Sequence, residues 1–473
     1  MEASHSISSW RHRVARFWPW LVAPLFIAAS SLCAVPYPDD HDGVNFILGV
    51  QRYDVQWHQP HFPGYPVYIA AGKFASTLAG SAEWGLVWVS VISMAIAALA
   101  LAGMAQERIG PSAAAALAAL LMASPMMFQF SHKIFSEPMG LALLCLAALV
   151  INQGSGRGRW LAAGGLLGLT LGVRLSWWPM ALGFLAPGDG RKNLVPLGAG
   201  VAAGVLLWLI PMIDLMGVEG LFLTGASFTQ GHFGQWGHTA SDGALGQRIY
   251  GFIRGASAVA GLAPGPWGHL AGAPMALAGL AGLGMILKKW KSGQGEPGPG
   301  EGALMAGGLI YVGWLFLGQN VDKARHYLPL LPMAAVALAA AGNRHRAILP
   351  AVALAMVAGA AMTTLAAGRG LPPAIRLAGW LEANSAPGTV VYCGWAERFF
   401  DLYDSRAKVY SVPRGDMLKM IAGPQLASDE ISYMCDDIPG APILGASVAE
   451  FPSRPFDLVD RPLKLYLAPW AGQ

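Results

Sequence analysis

The sequence predicts an α-helical polytopic membrane protein with a small α/β domain appended at its C-terminal end. Three observations predict it. Of 473 residues, 54% are hydrophobic and only 12% are charged, against roughly 25% charged in an ordinary soluble domain. Apolar runs long enough to cross a bilayer, about 17 to 25 residues each, recur from Phe17 to Ala367 and then stop. From about Pro372 onward charges become frequent and short strand-like runs begin.

The first span is Phe17–Val35, preceded by Arg11, Arg13 and Arg16. No convincing small-residue cleavage site follows it, so it reads as a retained span rather than a signal peptide. Further spans near 85–104, 111–130, 138–152, 160–173, 176–187, 194–213, 267–287, 303–318, 327–342 and 347–367 bring the total to about eleven. In that register Gln106–Gly110, Gly154–Arg159, Gly188–Asn193, Lys288–Gly302 and Asn343–Arg346 share one side. Nearly all carry Arg or Lys, the mark of the cytoplasmic face. The N-terminus then lies inside, and Pro36–Gly80, Ser131–Glu137, residues 215–266, Gln319–His326 and everything after Ala367 lie outside.

This divides the chain into a membrane domain, 1–367, with a first outer loop at 36–80 and a long outer segment at 215–266, and an extracytoplasmic domain at 368–473. The expected location is the plasma (inner) membrane, with the C-terminal domain in the periplasm where the cell has one. In that domain Ala374–Asn384 reads as an amphipathic helix, and Thr389–Cys393 and Ala407–Ser411 as strands. Cys393 and Cys435 both fall there and are candidates for a disulfide in an oxidising compartment; two buried thiols fit nearly as well. Cys33 and Cys145 fall in apolar spans.

The net charge of +4 is explained by basic loops between spans, so it gives no reason to expect nucleic acid as a partner. Gly293-Gln-Gly295-Glu-Pro-Gly298 has the letters of a dinucleotide fingerprint, but no strand precedes it and a proline interrupts it. It reads as a flexible loop. The phosphate-binding loop of nucleotide hydrolases, the zinc-protease helix motif and the serine-hydrolase elbow are all missing from the sequence.

The chemistry gathers between Pro36 and Tyr68. Asp39, Asp40 and Asp42 follow the first span and precede Tyr53-Asp54 and the string HQPHFPGYPVY, residues 58–68. Ionisable groups at a membrane surface cost desolvation energy and mark function by default. An acidic residue just after the first span, followed by an HPPGYPLY-like string, resembles the bacterial branch of the dolichyl-phosphate-mannose protein mannosyltransferase superfamily, membrane glycosyltransferases of the GT-C fold. Phe62 stands where a proline is usual. Ser136-Glu137-Pro138, the stretch Gly168–Pro179 around Arg174, and Arg325-His326-Tyr327-Leu328-Pro329 are similar to family patterns in the family's order. The resemblance covers roughly residues 10 to 345, and the C-terminal domain resembles the outer-face domain of many such enzymes.

The resemblance implies transfer of a sugar from a polyprenyl-phosphate carrier to an acceptor hydroxyl, with inversion. The acceptor is a lipid, a polysaccharide or a protein, and membrane lipids surround the site. A hydroxyl needs a positioned carboxylate to accept its proton. Asp42 falls where the family's first-loop aspartate falls and is the expected base; Asp40 is the alternate or its orienting partner, and Asp39 is expected to be merely solvated. The leaving phosphate needs fixed cations. Arg325 fits best, with Lys323, Arg174, His326 and Lys133 as further donor-phosphate candidates, although an arginine at such a depth also snorkels to lipid headgroups.

His58, His61 and Tyr65, with His232, Trp236, His238 and Asp242 in the long outer segment, are candidate substrate contacts. Pro60 and Pro63 break the helix that would pair His58 with His61, so no metal site is assigned, although a divalent ion remains compatible with the pattern. Trp177 and Trp178 read as interfacial anchors. Two other classes stay open: a transporter or flippase of a lipid-linked or small polar substrate, and a ligase or polymerase that moves a whole glycan. No internal repeat favours the transporter.

Overall fold

The computed structural model describes residues 22–153, 155–241, 245–262, 266–292, 298–344, 347–367, 370–403, 407–411, 432–438, 445–455 and 457–467. Arg11, Arg13, Arg16, the start of the first span, Asp242 and most of the Gly293–Gly298 loop lie outside them. The membrane part is a bundle of helices joined by short connections. Helix α1 is Val22–Cys33; α2, His41–Gln51, and α3, Pro66–Ala79, occupy the region read as a first outer loop. That loop is therefore largely helical.

Local chemistry sets the helix ends. Asp40 caps α2 by accepting the Gly43 N–H at 3.0 Å, and Pro66 opens α3, where a missing N–H costs nothing. Ser81 caps the long helix α4, Ala82–Ile109. Helices α5, Pro111–Ala123, and α6, Pro125–Ser131, are bent by 64° at Ser124-Pro125. They are followed by α7, Glu137–Gln153, α8, Gly156–Val173, and the short α9 and α10, Trp178–Leu182 and Gly188–Lys192.

Helix α11, Leu194–Gly231, lies against α8 with almost no side chains between them. A Cβ on Gly164 or Gly168 would meet the Leu197 or Val201 carbonyl at 2.2 or 2.4 Å, and one on Gly200 would meet the Leu161 carbonyl at 2.1 Å. Small residues at four-residue spacing let two membrane helices touch along their backbones. Gly217, at φ 69°, kinks α11 and turns its second half over the site described below. After it come α12, Leu245–Val259, α13, Pro266–Ser292, α14, Pro299–Gly318, α15, Leu331–Arg344, and α16, Ile348–Ala367.

The described parts of the eleven expected spans are helical, that near 111–130 as the bent α5–α6 pair and that near 176–187 as a series of short helices, but the count itself is not reproduced. Among the described residues four helices are long and apolar enough to cross a membrane, Ala82–Ile109, Leu194–Trp236, Pro299–Gly318 and Ala324–Asn343; the bent α5–α6 pair makes a fifth. Five more segments, including α1 and α7, are apolar but shorter. Pro125 is what breaks the span expected near 111–130 into α5 and α6.

Polar residues sort to the two ends of this bundle. At one end Arg108 pairs with Glu301 at 2.5 Å, and Asn152 accepts the Gly300 N–H at 3.3 Å. At the other lie Asp42, Glu137, Arg174 and Arg325, beside the C-terminal part. That part holds α17, Pro373–Asn384, and a five-stranded sheet: β1 Val390–Cys393, β2 Lys408–Ser411, β3 Ser432–Cys435, β4 Ala449–Phe451 and β5 Leu463–Leu467. The strand order is β2-β1-β3-β5-β4; β2, β1 and β3 are parallel, and β5 and β4 are antiparallel additions.

The apolar core of this sheet is continuous with α2. Val44 and Leu48 pack in one cluster with Ile375, Leu381, Val391, Cys393 and Phe399. The helix that carries Asp42 is thus clamped between the membrane bundle and the C-terminal sheet. Cys393 and Cys435, on neighbouring strands, bring their Sγ atoms to 3.0 Å as two buried thiols.

Candidate functional site

A cavity of about 1120 Å³ opens where α2, the loop 52–65, the end of α8, the second half of α11 and the segment 319–326 converge. His41, Asp42, His58, His61, Tyr65, Arg174, Lys323, Arg325 and His326 line it at one end. Phe228, His232, Phe233, Trp236, Trp178 and Trp314 line the other. Of the described residues expected from sequence to bind or react, all but Asp40, Lys133 and His238 reach its wall.

Arg325 organises the charged end. It opens the 3-10 helix Ala324–Leu330, is 5% exposed, and forks across Asp40, at 2.9 Å, and Asp42. Its guanidinium also lies 3.7 Å from Glu137 and over the Phe135 ring. Glu137, at the start of α7, pairs in turn with Arg174 at 3.0 Å, and Arg174 donates to Ser136 Oγ and lies over the Tyr65 ring. Asp40 is thereby occupied twice, as helix cap and as arginine partner.

Asp42 is occupied on one side only. Its Oδ2 meets Arg325, while Oδ1 has the His41 and His61 Nδ1 atoms at 3.8 and 3.7 Å, beyond hydrogen-bond reach. Burial pushes its carboxyl up, but the Arg325 guanidinium, together with smaller contributions from His61, His41 and Lys323, outweighs this and holds it well below the usual carboxylate range. The group is ionised at neutral pH with one oxygen free. Burial also pulls the His61 imidazole down to about 3, so the ring is neutral beside that oxygen. His61 hydrogen-bonds Tyr65 at 2.9 Å and stacks on Phe228.

Lys323 completes this end. Its backbone makes turn hydrogen bonds, but its ammonium has no ion pair among the described residues. Burial, and then the neighbouring Arg325, draw it down to about 8. His326 donates from Nδ1 to the Asn320 carbonyl at 2.9 Å, which leaves Nε2 as an acceptor. His232 bonds the Gly318 carbonyl through Nε2 at 2.9 Å, and Trp236, 44% exposed, packs edge-on against Phe228.

The proline-rich string shapes the loop. The Gln59–Pro60 and Phe62–Pro63 bonds are cis, and an Asp54–Gln59 bridge closes the turn. Gly64 is required at φ 84°: a Cβ there would meet the Tyr53 hydroxyl at 2.4 Å. Phe62, the departure from the family string, packs on Phe228 and over Gly225.

Three expectations are corrected. Lys133 is not a cavity residue: it is 3% exposed, and its ammonium is consumed by Asp39 at 2.8 Å and Asp457 at 2.7 Å. Asp39 is not a solvated loop residue but is buried, 6% exposed, between Lys133 and Arg454. Trp177 is no interfacial anchor; it is 1% exposed and packs against Gly140, and Trp178 faces the cavity. Asp39, Asp457 and Asp460 have carboxylate oxygens near enough together to suggest a metal. Lys133 and Arg454 already neutralise them.

Residues missed from sequence are His41, Asn45, Gln319, Asn320, Phe228, Trp314 and Arg398. His41 stood inside the acidic cluster and was the one with a readable signal.

Residues 60–213 match the family model described as dolichyl-phosphate-mannose-protein mannosyltransferase. Similar folds are ArnT from Cupriavidus metallidurans bound to undecaprenyl phosphate, at TM-score 0.57 and 15% identity over 96% of this chain and 98% of that one, and the same protein in the apo state, at TM-score 0.55. The chain shares the GT-C fold of these proteins, and about a third of it carries the family match. The Archaeoglobus fulgidus oligosaccharyltransferase in complex with Zn and sulfate is also similar, at TM-score 0.50 and 16% identity, covering 83% of this chain and 62% of that one. No curated protein sequence matches the chain. The matched segment runs from Pro60 to Ile213 and includes His61, Tyr65 and Arg174 of the cavity, with Glu137 buried behind them.

Proposed function

We propose that this protein is an integral-membrane glycosyltransferase that moves a sugar from a polyprenyl-phosphate donor to an acceptor hydroxyl at the outer face of the membrane. One observation carries the reading: a single cavity joins a half-free buried carboxylate and an unpaired lysine to an apolar, aromatic lane built by α11. A lipid phosphate needs both ends. ArnT, which shares the fold, is the protein captured with undecaprenyl phosphate.

In the proposed step the acceptor oxygen attacks the anomeric carbon from the face opposite the phosphate, so configuration inverts. The bond from that carbon to the phosphate oxygen breaks with its electrons on the phosphate. The hydroxyl proton passes to Asp42 Oδ1. A carboxylate of low pKa takes a proton only late, which suits a transition state in which the departing bond is already long and the sugar carries oxocarbenium character. Lys323, Arg325 and Arg174 offset the charge gathering on the phosphate. Asp40 and Glu137 keep the two arginines in place, and His58, His61, Tyr65, His232 and Trp236 hold the sugar and the carrier's first isoprenoid units. The same reading puts the N-terminus in the cytoplasm and the sheet domain outside, because Arg108 and the basic loops cluster at the end opposite the cavity.

The test is to incubate the purified full chain with a panel of radiolabelled polyprenyl-phosphate sugars and hydroxyl acceptors, with and without chelator. Label in the acceptor together with free polyprenyl phosphate is the expected result. Passage of intact donor across proteoliposomes without bond cleavage would instead make it a transporter.

A further inference from the structure

Arg398 lies in the C-terminal part, on the 3-10 helix Trp395–Asp401 that follows β1. Its Nε donates to Asn45 Oδ1 at 2.9 Å, across 353 residues of sequence, its Nη2 reaches the Trp57 and His58 carbonyls at 3.1 and 3.4 Å, and its Nη1 pairs with Asp401. Asn45 is completely buried, one helical turn beyond His41 on the same face of α2, and its Nδ2 lies 3.1 Å from His41 Nδ1. His41 borders the cavity with its side chain 43% exposed.

These contacts fix protons. A guanidinium has donors only, so the amide must turn its oxygen to Arg398 and its NH2 to His41. His41 Nδ1 then has to accept, and the ring's proton is on Nε2. A buried amide has no other way to satisfy both ends without losing a hydrogen bond. Asp42 Oδ1, at 3.8 Å, is too far to compete for Nδ1.

We infer that His41 is a substrate-binding residue, presenting a neutral Nε2–H donor to an oxygen of the bound substrate beside Asp42, and that Asn45 and Arg398 are positioning residues that hold it in that tautomer. This rests on the reading of the cavity as the transfer site. It gives the C-terminal domain a part in the chemistry, since the guanidinium that starts the relay belongs to it. Two further hydrogen bonds of Arg398 anchor the loop at Trp57 and His58, so one residue sets both walls of the pocket around Asp42.

The charged and titratable groups facing His41 are Asp42 on its own helix, His58 and His61 of the loop, and Glu397 and Arg398 of the sheet domain. The tautomer is read in the full chain without substrate, labelled with ¹⁵N-histidine, the His41 resonances being assigned by their loss in His41→Asn, a substitution at a half-exposed position. The expected result is a proton on Nε2 and an acceptor-type Nδ1 that persist when Asp42 is replaced by Asn. In Asn45→Asp the new carboxylate accepts from both sides, so the proton moves to Nδ1 and the ring gains basicity; donor turnover should fall about tenfold, with an acid limb that His41→Asn removes. Arg398→Gln and His41→Asn should each lower kcat, and the double variant should be no worse than the poorer single one, with Arg398→Lys recovering part of the loss. A proton on Nδ1 in the wild-type protein, an unchanged tautomer in folded Asn45→Asp, or fully additive losses would overturn the relay. Turnover with a wrong tautomer sinks the relay alone; a correct tautomer with no transfer from any donor sinks the glycosyltransferase reading and leaves the relay standing.

Discussion

Two clusters of buried charge grow from neighbouring residues and behave differently. Asp39 and Lys133 belong to one, with Asp457, Asp460 and Arg454; Asp40, Asp42 and Glu137 belong to the other, with Arg325, Arg174 and Lys323. In the first, each carboxylate faces a cation and no member lines the cavity. In the second, Asp42 keeps an oxygen free and Lys323 keeps its ammonium free, and both face open space. The difference is satisfaction: a closed ion-pair network holds two parts of the chain together, while an incomplete one is ready to take a ligand's proton and charge.

Breaking the open cluster should cost chemistry and spare stability. Asp42→Asn keeps the volume and removes the base, so transfer should fall by about a hundredfold to ten-thousandfold. Thermal unfolding of the solubilised protein should stay within a few degrees of wild type. Turnover near the wild-type rate would end the assignment of Asp42.

Breaking the closed cluster should do the reverse. Lys133→Met leaves Arg454 alone to offset Asp39, Asp457 and Asp460, and an uncompensated buried charge costs about 3 to 5 kcal/mol. The expected result is a lower unfolding midpoint with ordinary turnover per folded molecule. The loss should be largest near neutral pH. Burial raises the Asp457 carboxyl, but Lys133 and then Arg454 outweigh it and depress it. Its contribution is therefore present above the ordinary carboxylate pKa of about 4 and fades as pH falls below that value. A Lys133→Met protein as stable as wild type but unable to transfer would return Lys133 to the donor site.

The sequence showed the open cluster better than the closed one, and the reason is distance along the chain. Asp40, Asp42, His58, His61 and Tyr65 lie within a single stretch whose prolines, aromatics and acids are unusual as a group, and Arg325 sits at the mouth of an apolar run. Hydropathy likewise found the helical segments. It could not find what breaks them, because Ser124-Pro125 and Gly217 barely change a window average. Lys133 and Asp457 are 324 residues apart, and Asn45 and Arg398 are 353 apart; no local pattern joins them. Trp177 and Trp178 show the same limit at short range, since one residue of helical phase separates a core tryptophan from a cavity wall.

The mildest perturbation sharpens the comparison most. Lys323 is the cation of the open cluster with no ion-pair partner among the described residues, so Lys323→Met should leave stability unchanged and raise the KM for the phosphate donor by about tenfold, near 1.4 kcal/mol, with kcat less affected. Its ammonium is drawn down to about 8 by burial and by Arg325. It is charged below that pH and neutral above, so kcat/KM for the wild type should decline as pH rises through about 8. The methionine variant should lose that limb, and Lys323→Arg should carry it beyond the measurable range, because a guanidinium stays charged. An alkaline limb that survives in Lys323→Met would assign the titration to another group and leave Arg325 and Arg174, already paired with carboxylates, to bind the phosphate by exchanging partners.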